Sequence, residues 1–240
     1  MSKKLDPVTQ AIRIQTPQTY HQEHSTPLYI TSSFTFDEAE TMRAAFADEN
    51  NANIYSRFSN PNVDEFIAKM CVLEGAEAGF ATSTGMSAIF SSMFALLKQG
   101  DHLICCSSVF GSTFTIVTKY LPKYGITATL VPADDYVAWE KAVQPNTRMV
   151  YLETPTNPQL EVIDLEWVGR FSKKHNLVLN VDNCFATPLL QRPVDFGADL
   201  VVHSATKWID GQGRVLGGVI VGREDLIKDI YLFCRNTGPA

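Results

Sequence analysis

Val63, Phe66, Ile67, Met70 and Leu73 recur at spacings of three and four, the repeat that puts them on one face of a helix. Asn62 stands before this run with Glu65 three residues on, a capping-box pattern, and Gly75 follows it, so the spacing predicts a helix from Asn62 to Gly75. Beyond it the pattern changes. Short apolar runs at Ala78–Thr82, His102–Cys106, Thr127–Val131, Met149–Glu153, Val178–Asp182, Leu200–His203 and Gly218–Val221 read as seven strands. Four intervals, beginning near Gly85, Gly111, Asp135 and Asp164, are long enough for the helices that parallel crossovers require. The class is α/β, with a largely parallel sheet covered on both sides. Residues 1–61 show no sustained period, although Phe34, Phe36, Tyr55 and Phe58 need somewhere to pack, and read as an arm or irregular lobe. No repeat of solenoid length is present.

Composition narrows the partners. A formal charge of −6 over 240 residues argues against a broad nucleic-acid surface or an anionic-membrane anchor, both of which need clustered Lys and Arg, and favours a small molecule. The five cysteines form no CxxC pair and are odd in number, against a disulfide framework or zinc ribbon and for a reducing cytosol. The start, Met1 to Pro7, turns polar too early for a secretory signal. The most apolar stretch, Ala88 to Leu97, is interrupted by Ser91 and Ser92 and falls short of the roughly 20 residues of a membrane span. The expected location is the cytoplasm.

Three places could carry chemistry. Thr82 to Ala88 leaves a strand and opens a helix, offering free N–H groups and hydroxyls to an anion. It matches neither the dinucleotide fingerprint nor the P-loop, and alone it reads equally well as a capped strand-to-helix turn. Asp182 ends an apolar strand of the kind whose carboxyl ends gather ligands; it would need a cationic partner, or else simply caps the next turn. Lys207 follows another strand with Ser204 and Thr206 just before it. Lysine is usually a surface residue, but one whose pKa burial lowers suits a Schiff base. Together the three supply an anion cradle, a pyridinium partner and an amine, the needs of pyridoxal phosphate.

The run Ser204-Ala205-Thr206-Lys207, with Val181-Asp182-Asn183, Glu153 to Pro158, Tyr55 to Pro61 and Ser83 to Ala88, resembles the Cys/Met metabolism family of pyridoxal-phosphate enzymes from about residue 25 onward. The resemblance implies an aspartate-aminotransferase-like large domain at 62–240 after an arm at 1–61. It implies that Lys207 binds the cofactor covalently and that Asp182 pairs with the ring nitrogen. Gly85, Met86, Ser204 and Thr206 would bind the phosphate and Asn157 the ring hydroxyl. Tyr55 and Arg57 would reach the phosphate of a neighbouring subunit, in a homo-oligomer that the full-length family builds as a dimer of dimers.

Two departures stand out. Phe110 precedes Gly111-Ser112-Thr113 where many relatives have Tyr, which keeps ring stacking and loses a phenolic proton donor, and Cys184 replaces a frequent Thr. With Ile209 to Arg214, these look most like the branch that makes homocysteine from O-succinylhomoserine and sulfide. Cystathionine γ-synthase and methionine γ-lyase activities are the alternatives within the family, and a non-catalytic cofactor-binding or assembly module is the alternative outside it. The family's small C-terminal domain, with the Arg that grips the substrate carboxylate, has no counterpart, so a fragment inactive on its own is the expectation.

Overall fold

The computed structural model describes residues 5–239. Helix α1 (Pro7–Arg13) is capped by Asp6, and α2 (Ala39–Phe46) follows. Both lie where no period was legible, for a physical reason: α1 buries no residue and α2 only Ala45, so neither needs an apolar face.

Helix α3 (Pro61–Glu74) starts two residues earlier than the capping pattern predicts. Asn60 is the N-cap, accepting the Asn62 N–H at 3.0 Å, and Pro61 takes the first helical position, where its missing N–H costs nothing. Asn62 and Glu65 are used to hold the arm instead. The Asn62 side chain accepts the Tyr29 N–H and donates to the Pro27 carbonyl, both at 2.8 Å, and Glu65 accepts the Thr16 N–H at 2.9 Å. Gly75 ends the helix at φ +75°, in the left-handed region.

The remainder alternates as the apolar runs predict: β1 (Ala78–Thr82), α4 (Gly85–Phe94), β2 (His102–Cys106), α5 (Gly111–Thr115), β3 (Thr127–Val131), α6 (Tyr136–Ala142), β4 (Thr147–Glu153), α7 (Leu165–His175), β5 (Val178–Asp182), α8 (Thr187–Leu190), β6 (Leu200–Ser204), β7 (Gly218–Gly222) and α9 (Glu224–Thr237). After α5 the backbone continues as a π turn and then a 3₁₀ turn to Tyr124. The seven strands form one sheet in the order β1-β7-β6-β5-β4-β2-β3, parallel except that β7 runs antiparallel to both neighbours. All five residues of β2 are buried, and so are six of the seven in β4, as two-sided cover requires. Each buried Leu or Ile of these strands contributes about 1.5–3 kcal/mol.

Two registers bring together residues that lie far apart in the chain. Glu153 and Asp182 are partners at the carboxyl ends of β4 and β5. Gly218 of β7 pairs with Thr82 on one side and Ser204 on the other, bringing the end of β1 close to the end of β6. Among the described residues no helix is long and apolar enough to cross a membrane.

Candidate functional site

A cavity of about 180 Å³ opens at the carboxyl ends of the parallel strands. Gly85, Met86, Phe110, Asn157, Asp182, Ser204, Thr206 and Lys207 all line it, so eight residues expected from sequence meet in one place. A larger groove of about 710 Å³ lies by Leu177, Val178 and Asp199, at the amino ends of the strands, and holds none of them.

One wall is the start of α4. The Thr84 hydroxyl caps it by accepting the Ser87 N–H at 3.1 Å, while Gly85 and Met86, at the first two helical positions, have N–H groups with no intrahelical acceptor. The helix dipole adds partial positive charge at the same point. Facing it, the Thr206 hydroxyl is braced by Gly217, whose N–H it accepts at 3.1 Å, and the Ser204 carbonyl accepts the Lys207 N–H.

The opposite wall is acidic and buried. Asp182 Oδ1 accepts the Cys184 N–H at 3.0 Å and Oδ2 accepts the Tyr151 hydroxyl at 3.3 Å. It enters no ion pair among the described residues, and burial pushes its pKa up to about 6, against the opposing pull of the Cys184 N–H, His203 and the Tyr151 hydroxyl. Glu153, only 5 % exposed, takes the Phe110 N–H on Oε2 at 2.7 Å and the Asn157 N–H on Oε1 at 3.0 Å. Burial and then the charge of Asp182 push its pKa up to about 7. The Cys184 thiol, which donates to the Ser204 carbonyl at 3.6 Å, is pushed up to about 12 by burial and by Asp182, so it stays protonated at neutral pH.

Lys207 is exposed, so the burial expected for it from sequence is not supplied here. Tyr55 and Arg57 are not part of this cavity. They line a separate hollow of about 380 Å³ with Phe34, Phe36 and Phe46; the Arg57 guanidinium lies 4.9 Å from the Phe58 ring centroid and donates to the Arg235 carbonyl.

Sequence pattern alone assigns no role to Glu153, although it heads the run to Pro158, and misses Ile89, Phe185 and Leu216 of the lining. It also misses the support behind Asp182. Glu74 and His203 are fully buried, with His203 Nε2 2.6 Å from Glu74 Oε1, and that same oxygen accepts from Asn183 Nδ2 at 2.8 Å. A carboxylate at the end of an amphipathic helix and a histidine inside an apolar strand were the available signals, since buried polar groups need partners.

The residues present fit pyridoxal phosphate. A protonated ring nitrogen gives Asp182 the cation it lacks, a phosphate matches the unpaired N–H groups of α4, and an aldehyde is complementary to the Lys207 amine in the same cavity.

Comparison with known proteins agrees. The family described as Cys/Met metabolism PLP-dependent enzyme matches residues 8–240. O-succinylhomoserine sulfhydrylase of Pseudomonas aeruginosa is 44 % identical over 231 residues, covering 96 % of this chain and 57 % of that protein. L-methionine gamma-lyase of Porphyromonas gingivalis is 43 % identical over 209 residues, covering 87 % and 52 % respectively. A crystal structure from Campylobacter jejuni, described as an O-acetylhomoserine (thiol)-lyase and containing N'-pyridoxyl-lysine-5'-monophosphate, superposes with a TM-score of 0.89 at 32 % identity over 94 % of this chain and 56 % of that one. The chain thus spans little more than half the length of these relatives. With its fold, its motifs and its converging site residues, it belongs to the Cys/Met metabolism family of pyridoxal-phosphate-dependent enzymes.

Proposed function

We propose that this chain carries the cofactor site of an enzyme that replaces the succinyl ester of O-succinyl-L-homoserine with sulfide, giving L-homocysteine and succinate. The observation that carries the reading is the convergence of the α4 N-terminus, Asp182 and Lys207 on one cavity. When bound, pyridoxal phosphate supplies an electron sink for the substrate's Cα. The Lys207 Nζ holds the cofactor covalently at rest; once freed, it takes the Cα proton and shuttles protons at Cβ. The Asp182 carboxylate keeps the proton on the ring nitrogen. Gly85 and Met86 N–H groups and the Ser204 and Thr206 hydroxyls hold the phosphate, Asn157 meets the ring hydroxyl, and Phe110 stacks on the ring. At Cγ the C–O bond to succinate breaks and a C–S bond to sulfide forms. Tyr55 and Arg57, remote from their own chain's cavity, serve a second copy in a homo-oligomer. A cytoplasmic setting suits the five cysteines, all free.

The choice of sulfide replacement is supported by Phe110, by Ile209 to Arg214 and by the Pseudomonas relative. Methionine elimination is the rival, because a methionine gamma-lyase is nearly as similar. Supplying O-succinylhomoserine with hydrosulfide, and separately methionine, to a chain extended to the full length of these relatives tests this: succinate and homocysteine should form at least tenfold faster than methanethiol and ammonia. The reverse ratio establishes the lyase. A Lys207 adduct without turnover of either substrate marks a cofactor-binding module.

A further inference from the structure

We propose that Glu153 is a positioning residue that joins the two loops walling the cofactor cavity. The inference rests on the reading of that cavity as the pyridoxal-phosphate site. Phe110 immediately precedes α5 in the loop after β2, and Asn157 lies four residues beyond the end of β4, so the two loops are remote in sequence. One carboxyl spans them, Oε2 on the Phe110 N–H at 2.7 Å and Oε1 on the Asn157 N–H at 3.0 Å. Phe110 and Asn157 both line the cavity, so the group that stacks on the ring and the group that meets its hydroxyl are held at a fixed separation by a single residue. A buried carboxylate needs such donors: among the described residues Glu153 enters no ion pair, and its strand partner is another acid, Asp182.

The arrangement predicts a signature in the cofactor-free chain. The titratable groups near Glu153 are Tyr151 on its own strand, Cys105 and Cys106 on β2, Asp182 on β5, Cys184 just beyond it, and Lys207 across the cavity. Burial raises the Tyr151 hydroxyl and the three thiols further above neutrality, leaving the two carboxyls to titrate between about pH 5 and 8. Amide shifts of Phe110 and Asn157, on separate loops, should therefore follow one common pH profile.

The test is amide NMR of the cofactor-free chain from about pH 4 to 9, with Glu153→Gln beside it. The Gln side chain keeps one acceptor and turns a donor toward the other N–H, so one of the two amides should exchange with solvent at least tenfold faster and the shared profile should vanish. Different profiles for the two amides in the unsubstituted chain overturn the proposal without a substitution that could unfold the protein, and so does exchange at both amides that Glu153→Gln leaves unchanged. In the loaded chain, Glu153→Gln should weaken pyridoxal-phosphate binding about tenfold and shift the pH profile of its visible absorbance, with the borohydride-trapped adduct still at Lys207. An unchanged affinity and profile with that adduct overturn the positioning role; an adduct elsewhere overturns the reading of the cavity and leaves the amide result to stand on its own.

Discussion

A methyl group built on Gly85 would lie 2.4 Å from Cβ of Ser204 and 2.7 Å from its Cα, so the first turn of α4 rests directly on the end of β6. Only glycine lets the unpaired N–H groups come this near the hydroxyls opposite them. Gly85→Ala must push α4 away from backbone that cannot yield, an overpacking cost of about 1–3 kcal/mol. The melting temperature should fall by roughly 2–10 °C, and pyridoxal-phosphate affinity at least tenfold. Calorimetry and a fluorescence titration measure both; unchanged affinity would separate the α4 N-terminus from phosphate binding.

Lys207→Ala should remove both the visible absorbance of the loaded chain and the adduct trapped by borohydride, because among the described residues no other lysine lines the cavity. Peptide mapping of the trapped chain checks this. An adduct on Lys173 or Lys174 would place the chemistry at the other end of the sheet.

The pH dependence of stability has a definite sign. Asp182 holds its proton more tightly folded, at about 6, than at its ordinary 3.8, so between about pH 4 and 6 the folded state binds more protons and stability falls as pH rises. Glu153 acts in the same direction from about 4.5 to 7, and His102, whose pKa burial lowers, acts in the opposite one. Asp182→Asn removes the first contribution and, by taking away a charge that raises Glu153, lessens the second. The cofactor-free variant should therefore lose less stability than the unsubstituted chain between about pH 4 and 7, by roughly 3 kcal/mol. Saturating pyridoxal phosphate should flatten the unsubstituted chain's curve, because the ring proton favours the carboxylate. Denaturant melts across that range decide it; parallel curves for the two proteins would contradict the burial of Asp182.

Asn60→Ala and Asn62→Ala should differ at the start of α3, although both side chains hold Tyr29, Asn60 Nδ2 by donating to its carbonyl at 3.0 Å. The first removes the cap of α3, a loss of about 1 kcal/mol or more, and should speed amide exchange at the helix start. The second leaves that cap and should free the Tyr29 amide. Exchange at Tyr29 that is insensitive to Asn62→Ala would refute the tie between α3 and the arm.

Much of this molecule is local in origin and so is written in the order of its residues. A strand buried on both faces is apolar for most of its length, which is why β2, β4, β5, β6 and β7 are visible as runs and why Asp182 and Lys207 can be placed at or just beyond strand ends. The turn at Gly75 needs a left-handed residue, and glycine marks it. Asn60 with Pro61 overrode the capping pattern at Asn62, a contest between two good caps two residues apart that spacing alone does not settle. The helices of the arm left no trace because so little of their surface is buried.

What remained for tertiary structure was everything set by pairing across distance. Nothing in Gly218 to Gly222 announces that β7 inserts antiparallel between β1 and β6, yet that insertion carries Thr82 and α4 to the Ser204 end of β6. Nothing in Glu153 announces Asp182 as its register partner, or that its two oxygens reach Phe110 and Asn157. Alternation and capping report a residue's own surroundings within a turn or a strand; the order of strands is fixed by how whole faces bury against one another, and only that order brings two acids, a helix N-terminus and a lysine to the same 180 Å³.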